Sequence, residues 1–206
     1  MTTREFAGLT STGPCFRPRA WLRDTRGLII DVRLNGGGAE PLSQRVAGRF
    51  LEKPFVYAYH QFRNGPQHTN LTDKIARRLS PRGPWRYDRP VVLLIGQKCM
   101  SSNESFIAMM SGGTNVVIMG DHTCGSSGNP QMTPLALDLT VSVPKWVDYL
   151  PDGTPLDARG RMALEYGVAP LMVRPGRAIP TRRESHGCGR ARDFFPLLAV
   201  FSRIGR

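Results

Sequence analysis

At 206 residues the chain is long enough for one domain with a substantial core. Its net charge of +12 rests on 28 basic residues, 24 of them Arg, and divides as +3 over residues 1–26, +3 over 27–170 and +6 over 171–206. The middle is therefore close to neutral, and with no aromatic residues interleaved among the basic ones and no nucleic-acid-binding motif, a nucleic-acid partner is not expected.

No stretch of 18 or more apolar residues occurs, so no membrane-spanning helix is expected. Residues Met1 to Ala20 carry neither the hydrophobic segment nor the cleavage site of a secretory signal, which leaves localisation unknown. The four cysteines, Cys15, Cys99, Cys124 and Cys188, form no CxxC pair and no Cys/His spacing suited to zinc. Free thiols are expected and no metal centre, although Cys99 and Cys124 both flank the motifs below and a bond between them is conceivable.

In chain order, "GLIIDVR", Gly27 to Arg33, reads as a buried strand that runs into the glycine turn "NGGG", Asn35 to Gly38. "PLSQRVAGRFL" places Leu42, Val46 and Phe50 four apart, on one face of a helix. "FVYAYHQF", Phe55 to Phe62, is aromatic and β-prone, hence a strand. A polar passage with Gly and Pro runs to Arg89, and "PVVLLIG" is then a second continuous apolar strand. "GQKCMSSNESF" follows and opens a helix; "NVVIMGD", Asn115 to Asp121, repeats the buried-strand pattern and leads into "TCGSSGNP". In "LALDLTVSV" apolar and polar residues alternate, which predicts a half-exposed strand at an edge or in a small antiparallel section. Strands that are apolar on both faces, alternating with helices, predict an α/β domain with a covered, largely parallel sheet. Residues 27–170 form this core; 1–26 read as an irregular N-terminal remnant and 171–206 as a basic, disordered tail.

Ser101 stands three residues before Glu104, the spacing of a helix capping box in which the serine oxygen accepts the glutamate amide and the carboxylate reaches back to the serine amide. The same turn exposes a serine at the end of a buried strand, beside free amides and the positive end of a helix dipole, where an oxyanion could be held. The NGGG and TCGSSGNP loops follow parallel strands and would meet it at one edge of the sheet, forming a cleft rich in backbone donors and hydroxyls.

The stretches "LIIDVRLNGGG", "PVVLLIGQKCMSSNESFIAMM" and "VVIMGDHTCGSSGNP" resemble the catalytic core of the C-terminal processing (tail-specific) serine peptidases, the family that includes tricorn-type core peptidases and retinoid-binding-protein modules. The resemblance implies a ClpP/crotonase-like fold with β-β-α units, a serine-type endopeptidase activity on peptides or unfolded proteins, no cofactor, and homo-oligomers among the expected assemblies. By motif position it makes Ser101 the nucleophile and gives the oxyanion hole the amides of Ser102 and Gly37. In the lysine-dependent branch a T-x-G-K-G loop supplies the base; the corresponding position here is Ser126. That departure points to the tricorn-like branch, where a histidine from an earlier domain is the base, a second serine orients it and a glutamate completes the set. Ser126 would then orient, and Glu165, with Asp157 as the alternative, would supply the acid.

His60, His68, His122 and His186 occupy no motif position of that family. The base is therefore expected outside these residues, in a fragment or shortened gene product that lacks an upstream domain. A non-catalytic ligand- or peptide-binding module on the same fold is the alternative. A crotonase-like acyl-CoA enzyme shares the oxyanion logic, but no feature marks a CoA site.

Overall fold

The computed structural model describes residues 25–136 and 138–156, residue 23, and the backbone of two short strands, β1 (Arg4–Glu5) and β10 (Leu197–Val200). Between them lie β2 (Leu28–Asp31), α1 (Glu40–Ala47), β3 (Phe55–Phe62), β4 (Ile75–Leu79), β5 (Val91–Ile95), α2 (Ser102–Met110), β6 (Val116–Gly120), β7 (Gln131–Pro134), β8 (Thr140–Val143) and β9 (Trp146–Tyr149).

The main sheet has the order β1-β10-β2-β5-β6. Its heart is parallel, with Ile30 opposite Leu93 and Leu93 opposite Ile118. Burial alternates along these strands: Leu28, Ile30, Val91, Leu93, Ile95 and Ile118 are buried, the residues between them half-buried or, at Val117, exposed. Leu93 is wholly buried and Ile30 nearly so, packed in one core with Phe106, Ile107, Met109 and Met110 of α2. The late apolar patch "FFPLLAVF" contributes β10, antiparallel to β2. The expectation of a disordered tail otherwise falls on residues outside those described.

A second sheet, β4-β3-β9, is antiparallel throughout. The strand predicted over Phe55 to Phe62 forms as expected but belongs to this sheet. Two of its members are absent from the sequence reading: β4, inside the polar passage before Arg89, and β9. The predicted strand "LALDLTVSV" also divides. Leu135 and Leu139 close a turn, with Asp138 at φ +58°, and only Thr140–Val143 pairs, with β7, in a hairpin exposed on both faces. Alternation survives in the sequence, but the hairpin stands clear of the core that would have half-buried it.

α1 packs against α2. Proline near its start suits the first turn, whose amides need no partners within the helix, and the chain leaves the helix at Gly48 so that Phe50 enters the core from the following turn. Among the described residues no helix is long and apolar enough to cross a membrane.

Candidate active site

Because β2, β5 and β6 run parallel, the loops that follow them emerge at one edge of the sheet. These loops comprise residues 35–38, 97–101 and 121–130. Backbone bonds stitch the second to the third: the Cys124 amide donates to the Cys99 carbonyl at 2.8 Å, and the Ser101 amide to the Ser126 carbonyl at 2.6 Å. Cys99 and Cys124 thus sit on adjoining backbones, yet both thiols are free. The Cys99 thiol is buried and donates to the Val32 carbonyl, and its burial pushes its pKa up, which keeps it protonated and inert.

Ser101 caps α2 at φ 56° and ψ −134°, a conformation that L-residues rarely adopt and that costs on the order of 1–3 kcal/mol. The expected cap bond from its side chain does not form. The Glu104 amide instead donates to the Ser101 carbonyl at 2.8 Å. The turn therefore leaves the half-buried hydroxyl free of capping duty, the disposition of a nucleophile on a sharp strand-to-helix elbow.

Gly37 lies directly against it. At φ +102°, a Cβ on Gly37 would stand 2.8 Å from Ser101 Cβ and 2.9 Å from the Met100 carbonyl oxygen. Only glycine permits that approach. The Gly37 amide donates to Asn35 Oδ1 at 2.8 Å.

The four polar residues that open α2 are all buried, and each serves a different segment. Ser102 Oγ donates to the Gly38 carbonyl at 2.6 Å. Asn103 Nδ2 donates to the carbonyls of Val32 at 3.2 Å and Asn35 at 3.0 Å, which anchors the glycine loop. Glu104 accepts the amides of Gly125 at 2.7 Å and Ser126 at 3.0 Å. Ser105 Oγ accepts from Arg77 Nη2 at 3.3 Å. Burial raises the Glu104 pKa; the Thr123 hydroxyl and the amides of Gly125, Ser126 and Ser101 oppose the rise in part.

Of the sequence-predicted residues, Ser101, Ser102, Gly37 and Ser126 come together here. Glu165 and its alternative Asp157 lie outside the described residues, as do His186, Cys15 and Cys188. His60 sits in β3 against the rings of Phe62 and Trp146, at 4.9 and 5.7 Å, with Nδ1 buried and without a hydrogen-bond partner among the described residues. His122 turns Nδ1 to its neighbour's carbonyl, Thr123 O, at 3.0 Å, and His68 is exposed. Among the described residues no group of three or more His, Cys, Asp or Glu gathers as a metal site. Asn103 was missed in the sequence; its one signal is that a polar S-S-N-E run begins a helix that is otherwise apolar.

The sequence model of Peptidase family S41 matches residues 19–170. The chain belongs to this family. Its members are serine-type peptidases, and the mixed α/β architecture with its parallel sheet is the family's ClpP-like fold. A solved structure of a Parabacteroides merdae protein classed as a peptidase is similar at 33% identity and a TM-score of 0.61, over 64% of this chain and 42% of that one. Mature CPAF, solved in complex with lactacystin, matches at 14% identity and a TM-score of 0.56, over 64% of this chain and 37% of its own, and speaks for the fold alone. The chain thus spans less than half the length of either solved chain. No curated protein matches significantly.

Glu104→Gln leaves one of two buried amides without a good acceptor and is expected to lower stability by about 1–3 kcal/mol. The raised Glu104 pKa fixes the sign of the pH dependence. A carboxyl whose folded pKa exceeds its unfolded value contributes stability below the unfolded value and loses it as pH rises through the folded one. In urea unfolding, the advantage of wild type over Glu104→Gln should therefore widen from neutral to mildly acid pH; an advantage that narrows on acidification contradicts the assignment.

Proposed function

We propose that this S41 chain carries the nucleophile and oxyanion hole of a serine-type endopeptidase acting on peptides or unfolded proteins. The observation that carries the reading is the strained Ser101, its hydroxyl free of the helix cap and Gly37 packed against it. Ser101 Oγ attacks the scissile carbonyl carbon, and its proton passes to a base. The carbonyl π pair moves onto oxygen, where the amides of Ser102 and Gly37 receive it. Asn35 Oδ1 holds the Gly37 amide in the resting state and yields it to the oxyanion. Each such donor contributes about 3–4 kcal/mol to the transition state. Collapse expels the amine, which takes the proton back from the base; water then releases the acyl group from Ser101.

Among the described residues His60 and His122 are turned to other partners, and we take the base to come from outside them. Ser126, whose carbonyl accepts the Ser101 amide, orients that base, and Glu165 completes the set. A desolvated base within reach of the serine supplies a factor of roughly 10²–10⁴, so the chain by itself retains weak reactivity from the oxyanion hole. The second reading, a non-catalytic peptide-binding module, draws on the Gly37 amide, which Asn35 already satisfies.

A fluorophosphonate probe separates the two. Labelling of wild type and none of Ser101→Ala is the expected result. Equal labelling of both, together with a peptide affinity indifferent to Ser101→Ala, sinks the peptidase reading in favour of the binding module. Ser126→Lys tests the missing base directly: a lysine there should speed labelling of Ser101 by roughly 10²-fold. An unchanged rate in a natively folded variant means that position 126 does not face the serine hydroxyl.

A further inference from the structure

Arg77, in β4, is the convergence point of a partly buried charge network that the sequence reading did not contain. Its side chain is 10% exposed, and it ion-pairs Glu40 through Nη2 and Asp148 through Nη1, the latter at 2.9 Å. It also donates to Ser105 Oγ at 3.3 Å. Each partner belongs to a segment that holds one of the three loops. Glu40 opens α1, two residues beyond Gly38, and also accepts the Tyr57 hydroxyl. Ser105 lies on α2, one turn beyond Ser101. Asp148, 3% exposed in β9, accepts from Trp146 Nε1 at 3.0 Å and from the hydroxyl of Ser127, the neighbour of Ser126.

We propose that Arg77 is a positioning residue, whose guanidinium holds the glycine loop, the Ser101 turn and the Ser126 loop in the register that the nucleophile and its oxyanion donors need. The inference rests on the reading of Ser101 as nucleophile. Arginine suits the task because its planar fork can meet two carboxylates and a hydroxyl at fixed angles, which a lysine ammonium cannot. Stability alone does not account for the cluster. Asp148 is buried and Glu40 only partly so, and apolar packing commonly does as well as a buried ion pair; fixing one register is the better-attested use of such groups. Arg77 touches none of the reacting atoms and acts through the loops alone. An error of about 1 Å in their placement is enough to cost on the order of 10²-fold in rate.

The test uses the full chain and the fluorophosphonate probe, read as a saturating labelling rate and a half-saturation concentration. Wild type fixes the reference; if it is not labelled at Ser101, the nucleophile reading itself fails, and the role of Arg77 falls with it. Given labelling, Arg77→Lys is expected to lower the saturating rate by roughly 10- to 100-fold while half-saturation and far-UV circular dichroism stay near wild type. Asp148→Asn keeps an acceptor for Trp146 and Ser127 but removes the charge, and it should lower the same rate less; it carries the test if Arg77→Lys does not fold. A folded variant labelled at the wild-type saturating rate overturns the proposal. So does a loss that merely follows thermal melting and recovers in full on cooling, the behaviour of a residue that only stabilises the fold.

Discussion

The first turn of α2 is the constraint on which the rest of the site depends. Ser102, Asn103, Glu104 and Ser105 are polar and buried, so each must find partners or leave the helix end unstable. The partners they find are the backbones of the loops beside them. Asn103 and Ser102 secure the glycine loop, Glu104 secures the loop of Ser126, and Ser105 meets Arg77. Satisfying a buried helix end and assembling a cleft of backbone donors are here one event. The strain at Ser101 is tolerated for the same reason: its amide is fixed by Ser126 and its carbonyl by Glu104, which over-determines an unfavourable φ.

Much of this was legible in the chain and some was not, for physical reasons. β2, β5 and β6 announce themselves as unbroken apolar runs, with one set of alternating residues buried and most of the other half-buried. β4 and β9 do not, since "IARRL" and "WVDY" carry charged residues that read as surface; Arg77 and Asp148 in fact ion-pair across the intervening β3. Pairing of that kind depends on positions far apart in the chain and leaves no local pattern. Within the site, the serine, glycine and third-loop positions were found through motif resemblance, and the structure brings Ser101, Ser102, Gly37 and Ser126 together. The capping-box spacing is real and half realised: the Glu104 carboxylate reaches the Ser101 amide but also accepts the amides of Gly125 and Ser126, and the Ser101 side chain caps nothing. Spacing identifies which residues can meet, whereas competition among buried donors decides which do.

The chemistry that follows is uneven in a way the architecture explains. The proposed nucleophile and oxyanion donors sit at the start of a buried helix and on a loop anchored to it, which suits groups that must be placed to within a fraction of an ångström. The base has no such support among the described residues: His60 is committed to an aromatic cluster, and His122 turns to its own neighbour's carbonyl. This S41 core presents a strained serine at the start of α2.

The central claim is that Ser102 and Gly37 form an oxyanion hole around Ser101. A crystal structure of the fluorophosphonate adduct tests it most directly, because the phosphoryl oxygen occupies the place of the oxyanion. The account predicts that oxygen within hydrogen-bond distance of both amides, with the Asn35 side chain turned away from Gly37. An adduct whose phosphoryl oxygen faces solvent, while Asn35 Oδ1 still holds the Gly37 amide, contradicts it.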